Sequence, residues 1–434
     1  MDKIIKQIPN KIEYTKYKLS NGLTIVLVPD TKLLSVLVNL YIKVGSQYEP
    51  AHISGISHLL EHMSFKGTKN HPTNLELVTP LDNIGSSYNA GTGYELTQYF
   101  VRCGFQYIDT ALNFISDIFQ NSIFPEPEFH KEKGVVLEEI HMYEDESRTK
   151  VEDDFLKLIY GNQGAGRSIA GSEQTVKNIT HKELLNYYRK YYNAKNAYLF
   201  IAGNFDPIQT RKLIAKYFNT AKSTHSFPYP KTKILQKRPK LSLTYKDNKE
   251  THFILGFHGY PFFDETNYAL HILETILSGG FTSRLFQLVR EKLGGAYYIY
   301  SDNWLFFDRG IFIIRGGIDS QRAELIFSEI IKEIKTLKDK PLTNQELQKA
   351  KNYIIGKLFI KMDQPYYLYH YLTQPILYNH PIITPRQTIE KITKITPKDI
   401  QLLAQKIFRK NNANLAIVSS IKNKSPFNKV LNSL

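Results

Sequence analysis

Cysteine is almost absent from this sequence of 434 residues, in which Cys103 is the only one. One thiol cannot form a disulfide framework within the chain, and we expect it to be a small core residue. Long apolar runs are also absent: residues 33–42 are too few to cross a bilayer and alternate like a strand. The first thirty residues carry five lysines and no apolar core. We therefore predict no secretory signal, no membrane span and a cytoplasmic location.

Long runs of one charge are missing as well, although the formal net charge is +15 at pH 7. The lysines are scattered among acidic residues instead of forming a stripe, and no nucleic-acid-binding motif accompanies them. This distribution is typical of a solvated surface, so we predict no nucleic-acid partner. The length indicates two to three domains.

The two halves of the chain repeat each other. Residues 178–202 and 394–418 correspond at a shift of 216, and each segment reads as a capped helix followed by a buried strand. Residues 36–44 alternate like a half-buried strand, and residues 252–258 repeat that pattern. We predict an α+β fold of two homologous domains, each an antiparallel-rich sheet with helices on one face. Their bounds are 1–222 and 241–434, joined by a linker at 223–240.

A metal-binding pattern lies in the first half, in the sequence His58-Leu-Leu-Glu61-His62. Residues four apart share one face of a helix, so both imidazoles can reach one metal ion. Glu61 on the same arc can take a proton from a water molecule bound to that metal. The pattern predicts a catalytic zinc site and hydrolysis of peptide bonds without a covalent intermediate.

A remote carboxylate is needed as the third ligand. Glu132, Val135, Val136, Glu139 and Tyr143 fall on one face of a predicted helix. Carboxylates on a partly apolar face need a partner or a metal ion. From the residues alone, Glu139 and Glu132 are nearly equal choices for the third ligand. The one that does not bind the metal would then orient a histidine or form a hydrogen bond near the water. Glu138 lies off this face and is expected to be solvated.

The second half cannot build the same site. At a shift of 213 the motif falls on His271, Glu274 and Thr275, and the position of Glu139 falls on Asn352. We therefore expect one zinc ion per chain. The ligand types favour zinc without excluding cobalt or manganese.

The order His-x-x-Glu-His resembles the inverzincins, the pitrilysin/insulinase-type metallopeptidases. The flanking sequences 20–23, 45–49 and 65–68 are also similar to the family, and so is 135–143, which resembles the helix of the distal ligand. The likeness covers nearly the whole chain. It is strongest with the short forms, the mitochondrial processing peptidase subunits and bacterial processing-peptidase-like proteins. It implies that Glu139 is the third ligand and that Glu132 supports catalysis.

The resemblance implies further site residues. Asn89 and Ala90 correspond to the edge strand on which the family binds substrate as an added β-strand. Gly279 and Gly280 lie in a segment that resembles the family's glycine-rich loop. Arg290 and Tyr297 resemble its Arg/Tyr pair, whose side chains can donate hydrogen bonds to a developing oxyanion.

The family's chamber is built from four such domains, and this chain has two. The resemblance therefore implies a peptide substrate enclosed by a homodimer, with Arg290 and Tyr297 of one chain facing the zinc of the other. A heterodimer is the alternative assembly. The alternative function is a non-catalytic scaffold or substrate-holding subunit, although such subunits typically lose part of the metal set.

Overall fold

The computed structural model describes residue 8 and residues 11–434; the start of the N-terminal segment discussed above lies outside this range. The strands are β1 (Thr15–Lys18), β2 (Thr24–Pro29), β3 (Ser35–Ile42), β4 (Ser87–Thr92), β5 (Thr97–Gly104), β6 (Ala197–Gly203), β7 (Lys240–Tyr245), β8 (Glu250–His258), β9 (Ala296–Leu305), β10 (Gly310–Asp319) and β11 (Ala413–Ser419).

The helices of the first half are α1 (Ile56–Met63), α2 (Asn74–Asp82), α3 (Ile108–Asn121), α4 (Glu126–Asp145), α5 (Ser147–Tyr160), α6 (Glu173–Asn178), α7 (His181–Tyr191) and α8 (Pro207–Phe218). Those of the second half are α9 (Asn267–Ser278), α10 (Ala323–Asp339), α11 (Asn344–Met362), α12 (Tyr367–Leu377), α13 (Pro385–Lys394), α14 (Pro397–Ile407) and α15 (Ser425–Asn432), together with a π-helical segment, Phe286–Lys292. In the described part of the chain, none of these helices is long and apolar enough to span a membrane.

Two sheets with one shared topology organise these elements. The strand orders are β1-β2-β6-β3-β5-β4 and β7-β11-β8-β10-β9, so the second sheet repeats the first without β1. The pairs β2–β6 and β7–β11 are parallel, and the other pairs are antiparallel. The predicted α+β fold with two antiparallel-rich sheets is confirmed. The predicted caps at Thr180 and Thr396 are also present, each as a capping box.

Each sheet carries helices on both faces, which differs from the predicted single helical face. In the first sheet, Val36, Val38 and Leu40 pack on the helices of their own half. The opposite side, with Leu37 and Tyr41, is covered by α12 of the second half. In exchange, α5 of the first half covers the outer face of the second sheet. The prediction of a half-buried strand at 36–44 is therefore wrong, because a helix from the other half buries the second face.

The segment between the sheets carries no helix or strand from residue 219 to residue 239. Side chains of this segment nevertheless bind both halves: Tyr229 donates to Glu95 of the first half and lies 3.2 Å from Asp308 of the second. The predicted domain bounds and the linker at 223–240 stay a prediction. Cys103 is buried, as expected, and burial raises the pKa of its thiol to about 11.

Candidate metal centre

The start of α1 fixes the orientation of the motif helix. Gly55 has a φ of +97°, and a Cβ at this position would overlap the carbonyl oxygen of Ala170. The buried Glu49 carboxylate accepts the backbone N–H groups of Gly55 and Ser57, each at 2.8 Å. A carboxylate in this position satisfies the free N–H groups of the first turn and is favoured by the helix dipole.

Three predicted ligands converge on one point. The Nε2 atom of His58 lies 3.6 Å from Oε2 of Glu139, and that of His62 lies 3.7 Å from the same oxygen. One ligand atom from each residue falls within 4.8 Å of the others. The Glu139 oxygen is buried and has no hydrogen-bond partner among the described residues. Two imidazole nitrogens around an otherwise unsatisfied carboxylate are a donor set that suits zinc.

The protonation of His58 suits the same role. Burial, and secondarily the neighbouring His62, lowers the pKa of His58 to about 4. The ring is therefore neutral at neutral pH and keeps a lone pair for a metal ion.

Glu132 lies behind the second histidine. Its Oε2 is 3.3 Å from Nδ1 of His62, and its Oε1 is 2.6 Å from Nζ of Lys66. A proton on Nδ1 of His62, held by Glu132, leaves Nε2 free to face Glu139. The predicted face of α4 is wrong in one detail: Val135 is 42% exposed, whereas Val136 is buried. The Glu138 side chain is exposed, as expected.

Glu61 is held by the edge strand. Its Oε2 accepts a hydrogen bond of 2.6 Å from Oγ1 of Thr92, at the end of β4. Burial raises the pKa of Glu61, although the Thr92 bond acts in the opposite direction. The carboxylate thus has one oxygen fixed by Thr92 and a second that stays available for another partner.

A cleft of about 470 Å³ opens beside His58 and Glu61, and both halves of the chain form it. Its walls include residues that sequence reasoning missed: Tyr94, Thr149, Glu152, Asp153, Leu156, Trp304 and Phe306. Burial raises the pKa of Asp153. Trp304 and Phe306 lie more than 240 positions from the motif, and no sequence signal marks them. Trp304 and Phe306 reach the cleft because α5 packs on the second sheet, where Phe155 contacts Trp304.

The other predicted site residues fall into two groups. Asn89 and Ala90 lie on β4, which among the described residues pairs only with β5 and so has a free edge there, next to Glu61. Gly279, Gly280, Arg290 and Tyr297 lie elsewhere, and within this chain no described contact links them to the metal ligands. Gly280 has a φ of +99°, and Tyr297 is 61% exposed.

The second half holds no comparable ligand group among the residues that the structure describes. His271 and Glu274 lie on α9, where Nδ1 of His271 is 3.2 Å from Oε2 of Glu274. Asn352 lies on α11, the counterpart of α4, and offers no carboxylate. The repeat therefore keeps the helices of the site and one histidine, but not the full set of ligands.

Comparison with known proteins also distinguishes the first half of the chain from the second. The family model described as "Insulinase (Peptidase family M16)" matches residues 24–173, and the one described as "Peptidase M16 inactive domain" matches residues 178–354. A Rickettsia felis protein described as an uncharacterized zinc protease is 36% identical over 392 residues, covering 90% of this chain and 94% of its own. A Bacillus subtilis protein described as the uncharacterized zinc protease YmxG is 34% identical, over 80% of this chain and 84% of its own.

Solved structures share the whole fold. A protease from Helicobacter pylori superposes with a TM-score of 0.88 at 24% identity, over 95% of this chain and 100% of its own. The periplasmic protease PqqL from Escherichia coli superposes with a TM-score of 0.81 at 19% identity, and 98% of this chain matches 50% of that chain. With its two family matches and its close relatives, this chain belongs to the insulinase-type peptidase family M16.

Proposed function

We propose that this chain is a zinc-dependent metalloendopeptidase that hydrolyses unfolded peptides or precursor segments. One observation carries the proposal: Nε2 of His58 and Nε2 of His62 converge on an otherwise unsatisfied oxygen of Glu139, with Glu61 on the same helix. The zinc protease relatives support it.

His58, His62 and Glu139 would hold one zinc ion per chain. Three protein ligands leave a coordination position open, and zinc bound there would acidify a water molecule and polarise the scissile carbonyl. The donor set favours zinc over cobalt and manganese through its imidazoles. Glu132 and Lys66 would keep His62 in the required tautomer.

Glu61 is the general base of the proposed reaction. Its free oxygen accepts a proton from the attacking water while Thr92 holds the other oxygen. The same carboxyl then returns the proton to the leaving amine. No covalent intermediate with the protein is needed, because the nucleophile is water.

The substrate would lie along β4. The free edge of this strand, which includes Asn89 and Ala90, offers backbone groups to an extended peptide, and it ends at Thr92 beside Glu61. Recognition through backbone groups requires an unfolded segment and tolerates many side chains. Gly279 and Gly280 would contact the substrate from the second domain.

A homodimer would complete the site. Arg290 and Tyr297 have no described contact with the ligands of their own chain, so we assign them to the zinc site of a partner copy. PqqL supports this arrangement, since one of its chains is twice as long as this one and half of it has this fold. A heterodimer with a different subunit would meet the same need, and the cytoplasmic location stays a prediction.

Cleavage of a library of unfolded peptides by the purified chain, read by mass spectrometry, tests the proposal. We expect about one zinc ion per chain, and we expect Glu61→Gln to keep the metal and lose cleavage. Metal without cleavage in the wild-type chain would indicate a missing partner subunit or a dedicated precursor as substrate. Absence of metal would contradict the peptidase proposal and favour the scaffold alternative.

A further inference from the structure

The second half has a cavity beside the repeats of several elements that line the metal cleft, the cleft beside His58 and Glu61. The metal cleft lies among α1, the end of β4, α4, α5, the loop before α6 and the end of β9. The second-half cavity lies among α9, α11, α12, α13 and the loop before α13, and α9, α11 and α12 repeat α1, α4 and α5. His271, the repeat of His58, is in its wall. No second group of metal ligands is present among the described residues, so this cavity is open to a different ligand.

The interior of the second-half cavity is mostly apolar. It encloses about 560 Å³, within the range of ligand-binding pockets. Aromatic and aliphatic side chains form much of the wall, among them Phe262, Phe263, Tyr268, Leu358, Tyr371 and Ile392. This lining suits large apolar side chains.

The charged groups of the wall leave an excess of positive charge. Lys357, Lys361 and Lys391 line the cavity together with Asp264 and Glu265. Glu265 is paired with Lys391, and Asp264 accepts the backbone N–H of Thr266 at 2.8 Å. Asp264 keeps its charge, so three lysines against two carboxylates leave a net charge of +1 in the wall. Lys357 and Lys361 form no ion pair within the described part of the chain and are available to an anion, whereas carboxylates line the metal cleft.

Uncharged hydrogen-bonding groups are also available in this wall. The side chains of His370 and Gln374 on α12 line the cavity and make no hydrogen bond within the described part of the chain. A fatty acid could satisfy the lysines, but it has no amide groups for Gln374 and His370. A peptide end offers amides, apolar side chains and a carboxylate together.

We propose that the second-half cavity binds the C-terminal end of a peptide whose last residues are apolar. The terminal carboxylate pairs with Lys357 and Lys361, and backbone amides bond to His370 and Gln374. The last side chains fill the aromatic interior. This inference rests on the proposed peptidase function, because it makes the cavity an anchor for a substrate that is cut elsewhere on the chain.

Binding is measured on the full-length Glu61→Gln chain, so that cleavage does not consume the probe. The probes are short peptides of glycine and serine with an N-terminal fluorophore, followed by fluorescence anisotropy. One ends in Leu-Phe with a free carboxylate, the second ends in Leu-Phe amide, and the third ends in Gly-Ser with a free carboxylate. We expect the first to bind at least about tenfold more tightly than either of the others, because each of those lacks one half of the recognised group.

Lys361→Glu, made in the same chain, should abolish the preference for the free carboxylate. Lys406→Glu is the matched control: it makes the same charge change on the exposed face of α14, outside the cavity. It should leave the preference intact. Equal binding of all three probes, or equal loss in both lysine variants, would overturn the proposal. Binding of decanoate is measured as well. If decanoate binds and the three peptide probes bind equally, the cavity would be assigned to fatty acids instead.

Different results would contradict the peptidase proposal and the proposal of a peptide anchor in the second half. Cleavage by the wild-type chain without a preference for apolar C-terminal ends would leave the peptidase standing and overturn the anchor. A preference in binding by a wild-type chain that holds no metal would support a peptide-end site in this cavity and contradict the peptidase.

Discussion

His62 and Glu132 lie side by side, with Nδ1 of the imidazole 3.3 Å from Oε2 of the carboxylate. Glu132 is 4% exposed, and Lys66 compensates its charge at 2.6 Å. A buried carboxylate needs such compensation. The pair therefore fixes the tautomer of His62 without leaving an unpaired charge in the interior.

Glu132→Gln should weaken zinc binding by about tenfold or more, because the neutral amide holds the Nδ1 proton less strongly. Competition with a chelator measures the affinity. Glu138→Gln, on the exposed side of the same helix, serves as the control and should bind zinc like the wild-type chain. An unchanged affinity in Glu132→Gln would show that His62 needs no support from this carboxylate.

Thr92→Val should lower kcat by about tenfold or more, since a hydrogen bond to a charged group contributes about 1.5–3 kcal/mol. The hydroxyl fixes Oε2 of Glu61, so its loss leaves the base poorly oriented. Zinc content and KM should change little. Thr92→Ser keeps the donor and should retain most of the activity, which separates orientation of Glu61 from a general effect on β4.

Glu49 should make the stability of the fold depend on pH. Burial raises its pKa from 4.5 to about 7, despite the hydrogen bonds from Ser57 and Gly55. The folded state therefore holds this proton more strongly than the unfolded state, and its contribution to stability falls as pH rises from about 4.5 to 7. Since one pH unit corresponds to about 1.4 kcal/mol, the expected loss is about 3 kcal/mol.

Denaturant unfolding at pH 5 and pH 7.5 measures this contribution. Glu49→Gln has no charge to bury, so its free energy of unfolding should change less between the two pH values than that of the wild-type chain. It should also be less stable at pH 5, because the amide nitrogen of Gln cannot accept an N–H bond, whereas both oxygens of the protonated Glu49 carboxyl can accept one at the start of α1. Equal pH dependence in the two chains would exclude Glu49 as the source.

Helix α5 of the first half packs on the second sheet, and this contact requires a glycine in that sheet. A Cβ on Gly256 of β8 would overlap the ring of Phe155, which is fully buried. Gly256→Ala should therefore cost about 1–3 kcal/mol of stability through overpacking. In a Phe155→Leu background the same substitution should cost less. Gly134→Ala, at an open position in α4, is the control and should be neutral or slightly stabilising. Additive costs at positions 155 and 256 would contradict this packing.

The sequence predicted the parts of the structure that local patterns determine. The caps at Thr180 and Thr396, the helix with His58 and His62, and the repeat of the two sheets follow from spacing and periodicity. The covering of both sheet faces could not be predicted, since α5 and α12 each pack on the sheet of the other half. For the same reason Trp304 was missed in the metal cleft, because its position depends on the way the halves pack together.

The assignment of Arg290 to a partner's zinc site can be tested by mixing two inactive chains. Glu61→Gln loses the base and Arg290→Ala loses the donor, but a dimer of one of each has one complete site. If subunits exchange at random, about a quarter of the wild-type sites should be restored, because half of the dimers are mixed and each has one good site. Peptide cleavage after subunit exchange measures the recovery. A mixture of Glu61→Gln with His58→Ala is the control, since both changes damage the same half of the site and no dimer can be complete. Absence of recovery in the first mixture, with exchange verified by differently tagged chains, would show that Arg290 does not act across the dimer.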